Sequence, residues 1–248
     1  MQKELVASDI HYLEKYLPAE KLEEGIDRLK KGEPVQYIVG NVNFFGFLFH
    51  VNPSVLIPRF ETEELVEKTI AYIWQEFSGT IQIADIGTGS GCIAITLQKK
   101  LNNVLVDATD ISSEALKVAE QNAIENKAQV HFYEGNLLEP LLGKYDVLIS
   151  NPPYIAPSED IMDVVKNNEP HLALYADKEG LYYYEEMLKT AKEKLNPHSM
   201  IAFEIGETQG QKIKEMAGTY FPKALVSVEK DMQGRDRFAF IISRENNL

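Results

Sequence analysis

The 248-residue chain predicts an α/β fold: a seven-stranded, mainly parallel mixed sheet preceded by a small helical segment and a linking β-hairpin. Three observations carry that prediction. From residue 81 onward, short apolar runs alternate with segments of helical length and period, the order that a parallel sheet with helical crossovers requires. The first of these runs ends in a glycine-rich turn, "DIGTGSG" at 85–91. The last two runs are separated only by "EKDMQGRDR", too short for a crossover helix, so they should pair antiparallel.

Taken in order, residues 1–31 are helical in pattern, with Leu13, Tyr16 and Leu17, then Leu22, Ile26 and Leu29, at three- and four-residue spacings. Gly32 and Pro34 punctuate the end of this segment. "VQYIVGNVNFFGFLFHV" has strand-forming composition with Gly40 and Gly46 as turn points, which predicts a hairpin. The chain then passes Pro58 into a helix that starts with glutamates, suited to the positive end of a helix dipole, and ends near Phe77. Strands are expected at 81–86, 104–109, 129–133, 145–149, 200–205, 224–228 and 237–242. Helices are expected near 91–101, 113–126, 180–195 and 208–219. This order divides the chain into a helical segment at 1–33, a hairpin linker at 34–58 and a large α/β domain at 59–248.

Composition bounds the function. An apolar content of 44% with 10% aromatics is that of a globular chain able to bury a full core. The apolar runs are too short to span a bilayer, and the charged N-terminus lacks the apolar centre of a signal peptide. A single cysteine, Cys92, allows no internal disulfide and suits a reducing compartment, so a cytoplasmic location is expected. A net charge of −13 argues against broad binding to nucleic acid, which needs clustered Lys and Arg. The five histidines, His11, His50, His131, His171 and His198, are dispersed without metal-ligand spacing, and no metal is expected.

In "IADIGTGSGCIAI" the glycines at 87, 89 and 91 permit positive φ and close approach of backbone to a ligand, and the following helix N-terminus turns amides toward it. A dinucleotide fingerprint requires G-x-G-x-x-G, whereas here Cys92 stands where the third glycine would fall. That spacing disfavours a nicotinamide enzyme. Asp110 ends the next strand, where nucleotide-binding folds place a carboxylate for ribose hydroxyls. Asp85, at the end of the first strand, either anchors the glycine turn or faces a ligand ammonium.

"LISNPPYIAP" at 148–157 runs a buried strand into Asn151, Pro152, Pro153 and Tyr154. Ligands of open parallel sheets lie beyond the carboxyl ends of the strands, so Asn151 should face what the glycine turn holds. The Asn151 side-chain carbonyl and the Pro152 backbone carbonyl are acceptors, the prolines fix their directions, and Tyr154 supplies a flat ring. Two acceptors and a flat face suit a planar –NH2 group. Holding both N–H bonds concentrates charge on the nitrogen as it attacks, which points to nucleophilic nitrogen and not to hydride.

"DIGTGSG" together with "NPPY" resembles the class I (Rossmann-like) S-adenosylmethionine-dependent methyltransferases that modify planar nitrogens. "GEPVQYIVGNVNFFG", "VLIPRFETEELV", "DISSEALKVAEQNA", "NPPYIAP", "EPHLAL", "FEIGETQG" and "DMQGRDRF" follow in order the pattern of the protein-(glutamine-N5) methyltransferases of peptide chain release factors, over about residues 32–243. The resemblance implies methyl transfer from S-adenosyl-L-methionine to the glutamine of the GGQ motif of class 1 release factors, without a metal. It implies cofactor contacts from Gly87, Thr88, Gly89, Ser90, Gly91, Asp110 and Asn151, joined by Asp85 and by Asn136 and Leu137 beside the adenine. Asn151, Pro152, Pro153 and Tyr154 would hold the substrate glutamine, with Asn151, Pro152 and Tyr154 as the catalytic set. Arg59, Glu61 and Thr62 of "PRFET" would lie near the methionine end or shape the pocket; the alternative is a structural Arg59–Glu61 ion pair.

Two departures stand out. The family often carries an acidic residue followed by an aromatic where this chain has Asn136-Leu137. Its helical N-terminal domain is also usually longer than the segment before Gly32, so a short or truncated docking domain is expected. A monomer is expected, with the GGQ domain of a release factor as partner. The alternative substrate is an amino group of a DNA or RNA base. It is disfavoured because no basic cleft or added recognition region follows residue 157, where Lys166, Lys178 and Lys189 are scattered among acids. The tyrosines of "LYYYEEML" are assigned to core packing, Cys92 to packing, and "DMQGRDR" to a hairpin turn whose Arg235 and Arg237 could meet an acidic partner.

Overall fold

A computed structural model describes residues 6–244. The N-terminal helices are α1 (Ala7–Tyr16), α2 (Leu22–Lys30) and α3 (Val35–Val39). Leu13, Leu29, Val35 and Ile38 form their shared core, with Leu17, Leu22 and Ile26 packed against it. Tyr16 packs against Tyr12 with the rings tilted and 4.7 Å between centroids.

Residues 35–39 correct the sequence reading. Their β-branched composition suggested strand, yet Pro34 precedes the first turn and Gly40 closes it at φ 82°, so a short helix forms. Its burial of Val35, Tyr37 and Ile38 outweighs strand propensity. The hairpin is therefore confined to β1 (Asn41–Phe44) and β2 (Phe47–His50), which turn through Phe45 and Gly46.

Next come α4 (Phe60–Glu76), β3 (Ile81–Ile86), α5 (Cys92–Lys100), β4 (Val104–Asp110), α6 (Ser113–Asn126), β5 (Val130–Glu134) and β6 (Tyr145–Ser150). After a long loop carrying α7 (Asp163–Asn168) and α8 (Asp177–Gly180), the chain continues through α9 (Tyr182–Lys194), β7 (Leu195–Glu204), α10 (Gly210–Tyr220), β8 (Leu225–Lys230) and β9 (Asp236–Ser243). All seven expected strands of the large sheet are present, in the order β5-β4-β3-β6-β7-β9-β8. β5, β4, β3, β6 and β7 run parallel, while β9 pairs antiparallel with both β7 and β8. The antiparallel strand is thus inserted between β7 and β8, leaving β8 at the edge.

Alternation along each strand sends successive side chains to opposite faces. Ile83, Val147, Met200 and Ala202 pack with Leu65, Ile73 and Ile95 of α4 and α5 on one face. Ala84, Ile86, Leu148, Ile201 and Phe203 pack with Tyr184, Leu188 and Ile213 of α9 and α10 on the other. Of the three tyrosines assigned to the core, Tyr184 is fully buried, whereas Tyr182 is exposed and Tyr183 turns to the cleft at the carboxyl ends of the strands. Tyr37, Val51, Val55 and Ile57 join Ala115 and Val118 of α6, which fastens the hairpin exit beside the carboxyl edge of the sheet.

Candidate functional site

β3 and β6 are parallel neighbours, with Asp85 opposite Ile149. Their carboxyl ends therefore release the glycine turn and Asn151 side by side, stitched by Ser150 Oγ donating to the Ile86 carbonyl at 2.7 Å. Above them opens a cleft of about 1140 Å³, open solvent at its mouth included. The glycine turn, Asp110, residues 135–137, Asn151 to Pro153, Val55, Leu56, Pro58 and Thr62 form much of its wall.

At the glycine end, the amides of Gly87 and Thr88 each donate to the Thr109 carbonyl at 2.9 Å. Gly87, Gly89 and Gly91 all hold positive φ. At Gly91 the glycine is also required sterically, since an added Cβ would lie 2.9 Å from Ile95 Cδ1 and 3.2 Å from Ala119 Cβ. Asp85 lies one layer beneath the turn, fully buried, with Oδ2 accepting from Thr88 Oγ at 2.6 Å and from the Ala94 amide at 3.2 Å. It anchors the turn, the first of its two expected roles. Burial pushes its carboxyl up to about 7, against those two hydrogen bonds, and its Oδ1 has no partner.

Asp110 lines the cleft. Its Oδ2 accepts from the Gly89 amide at 2.8 Å and its Oδ1 from the Ser112 amide at 2.9 Å, so it shapes the turn as well as facing the cavity. Burial raises its carboxyl while those amides oppose the rise. Asn136 and Leu137 also border the cleft; Asn136 donates its side-chain N–H to Glu139 at 3.2 Å, and Leu137 sits at φ 48° with its carbonyl held by Thr109 Oγ. Cys92 is buried, its thiol pushed up to about 12 by burial, which fits the packing role.

At the amide end, Asn151, Pro152 and Pro153 line the cleft. Asn151 Nδ2 donates to Thr62 Oγ at 3.0 Å, and Thr62 Oγ donates to Glu204 Oε2 at 2.7 Å. Tyr154, whose ring was expected against a planar group, lies behind the prolines instead. It packs on the α9–α10 side of the sheet, its hydroxyl 3.4 Å from Glu204 Oε1 and its carbonyl accepting from Gln209 at 3.0 Å. Burial, then the Glu204 charge, raises the Tyr154 hydroxyl above its ordinary value. The aromatic ring on the cleft wall is that of Tyr183.

Arg59 pairs with Glu169 and not with Glu61. Glu169 is buried and also accepts from the Ile57 amide at 3.1 Å. This one carboxylate joins the wall at Val55, Leu56 and Pro58 to the wall at Pro170, Leu172 and Ala173. Arg237 is likewise turned inward, bonded to Asp231 and to the Ile205 carbonyl, and Arg235 lies near Glu207 and Asp231.

The sequence reading thus named Gly87 to Ser90, Asp110, Asn136, Leu137 and Asn151 to Pro153, all of which line the cleft, and Asp85, Gly91 and Tyr154, which support it from behind. It missed Glu204, Glu169 and Tyr183. The first two had a signal, being single acids within "FEIG" and "EPHL" beside apolar residues. Among the described residues no cluster of His, Cys, Asp or Glu could hold a metal, and no helix is long and apolar enough to cross a membrane.

Comparison with known proteins agrees with this geometry. Residues 67–174, from α4 past the glycine turn and NPPY, match the model of the methyltransferase small domain. The backbone resembles a methyltransferase of Pyrococcus furiosus, with a TM-score of 0.59 at 21% identity over 81% of this chain and 90% of that one. It also resembles the Thermus thermophilus 16S rRNA N2 G1207 methyltransferase solved with AdoMet and guanosine, with a TM-score of 0.60 at 15% identity over 82% of this chain and 50% of that one. At those identities the likeness establishes the fold, that of the class I Rossmann-like methyltransferases. The release factor glutamine methyltransferase of Bacillus anthracis is 42% identical over 88% of this chain and 79% of its own length. That of Bacillus subtilis is 40% identical over 89% and 79%. With a glycine turn and Asn151-Pro152-Pro153 side by side at the carboxyl edge of the sheet, and such identity over most of its length, the chain belongs to the family of release factor glutamine methyltransferases.

Proposed function

We propose that this enzyme transfers a methyl group from S-adenosylmethionine to the side-chain amide nitrogen of the GGQ glutamine in class 1 peptide chain release factors. One observation carries the reading. A preorganised acceptor, Asn151, shares the carboxyl edge of adjacent strands with a glycine turn.

The residues present fit the cofactor. The positive-φ glycine turn leaves backbone exposed to the cleft, Asp110 offers a carboxylate at the position suited to ribose hydroxyls, and Ile111 and Leu137 supply apolar surface for a base. When bound, S-adenosylmethionine supplies a methyl group on a positively charged sulfur. The chain must then bring a poor nucleophile in line with that methyl. Asn151 Oδ1 and the Pro152 carbonyl accept the two N–H bonds of the substrate amide, which aims the nitrogen and stabilises the positive charge it gains. The spare proton leaves to solvent, so no strong base is required.

The test is transfer of labelled methyl from S-adenosylmethionine to a purified class 1 release factor, with the GGQ motif changed to GGA as control and DNA and RNA offered in parallel. Label on the intact factor and none on the control is the expected result. Label on nucleic acid alone would overturn the substrate.

A further inference from the structure

Glu204 ends β7 under the amide end of the cleft, fully buried, and the chain of contacts above it determines how Asn151 faces. Its Oε2 is 2.7 Å from Thr62 Oγ, and Thr62 Oγ is 3.0 Å from the Asn151 side-chain nitrogen. A threonine hydroxyl carries one hydrogen, and an ionised carboxylate carries none. While Glu204 is ionised, the hydrogen between Thr62 and Glu204 therefore comes from Thr62. That leaves Thr62 only lone pairs for Asn151, so it is the –NH2 side of the amide that meets it. Asn151 Oδ1 is thereby turned toward the cleft.

We propose that Glu204 is a positioning residue of this site, which through Thr62 selects the face of the Asn151 amide that the cleft receives. The proposal rests on Asn151 acting as the acceptor for the substrate –NH2. It also predicts a proton-controlled orientation. A protonated Glu204 donates to Thr62, whose own hydrogen is then free for Asn151 Oδ1. The amide turns over and presents its N–H bonds to an incoming –NH2, donor against donor.

The groups facing this carboxylate come from every packed element. They are Thr62 and Glu61 of α4, Cys92 of α5, Tyr154 after β6, Tyr184 of α9, whose hydroxyl donates to the Glu204 backbone carbonyl at 2.8 Å, and Arg237 of β9. Burial pushes the Glu204 carboxyl up to about 7, while Thr62, Arg237 and Tyr154 hold it down and Glu61 adds to the rise. The acceptor orientation therefore strengthens as pH rises through neutrality.

The experiment follows the Asn151 side-chain –NH2 signal by NMR from about pH 5 to about pH 9 in the full chain, assigned by its absence from Asn151→Asp. Wild type should show an inflection near 7, lost in Glu204→Gln and in Thr62→Val and kept in Thr62→Ser. In parallel, kcat on the release factor at saturating cofactor should fall about tenfold to a hundredfold in Thr62→Val, and Thr62→Ser should restore most of the rate. An Asn151 signal without inflection, an inflection that survives Thr62→Val, or an unchanged kcat in that variant would overturn the proposal. Should wild type leave release factor unmethylated while the NMR pattern holds, the substrate reading fails and the positioning role stands. Thr62→Val carries the test if Glu204→Gln does not fold.

Discussion

The two ends of the cleft stand on the same device and use it differently. Each rests on a fully buried carboxylate at the end of a parallel strand, Asp85 in β3 and Glu204 in β7, and burial pushes both up to about 7. Asp85 binds only its own neighbourhood, Thr88 three residues on and Ala94 nine residues on, and leaves Oδ1 without a partner. Glu204 reaches Thr62 across 142 residues and Tyr154 across 50. The buried carboxylate at the glycine end therefore serves one unit of strand, turn and helix, which Thr109 and Asp110 tie to the neighbouring strand. The amide end is assembled only when α4, β6 and β7 have packed. Damage should stay local at the first end and spread to the chemistry at the second.

The largest effect expected is at the amide end. Asn151→Ala removes the preorganised acceptor and should lower kcat by about a hundredfold to a thousandfold in single-turnover methyl transfer. A smaller loss would mean that the Pro152 carbonyl carries the clamp alone. Asp85→Ala leaves the Thr88 hydroxyl and the Ala94 amide without their buried acceptor, at a cost of about 1–3 kcal/mol in equilibrium unfolding. Because that damage is local, cofactor affinity should fall while kcat at saturating cofactor stays near wild type; an equal loss of kcat would erase the contrast between the two ends. Gly91→Ala forces an alanine into φ 81° against Ile95 and should cost about 1–2 kcal/mol of stability.

The same contrast explains what could be read from the sequence. Asp85 acts through near neighbours, and the three glycines and Asp110 stand at the ends of two adjacent parallel strands, so their place in the strand–helix alternation exposes them even though Asp110 reaches Gly89 across 21 residues. Asn151-Pro152-Pro153 was legible because two prolines cannot continue a strand. The direction of the Tyr154 ring was not, since it depends on Gln209 and Glu204 arriving from elsewhere. Arg59 finds Glu169 across 110 residues, a pairing no local pattern announces, whereas Glu61 lay close enough in sequence to invite the wrong partner. Residues 35–39 misled for the opposite reason. Their β-branched side chains argued for strand, and only burial against Leu13 and Leu29 makes the helix.

The smallest effect separates charge from shape at the amide end. Burial pushes the Glu204 carboxyl from its ordinary value of 4.5 up to about 7 in the folded chain. Between those values the folded state holds the extra proton, so this group's contribution to stability is full below 4.5 and is lost as pH rises through about 7. Glu204→Gln keeps the shape and removes the titration. Asp85 contributes in the same direction but is present in both proteins, so it cancels in their difference. The melting temperature of Glu204→Gln minus that of wild type should therefore climb by a few degrees from acid to mildly alkaline pH. A flat difference would mean that Thr62, Tyr154 and Arg237 fully compensate the buried charge. The carboxylate would then titrate near its ordinary value of 4.5, and Asn151 would hold one orientation through neutrality.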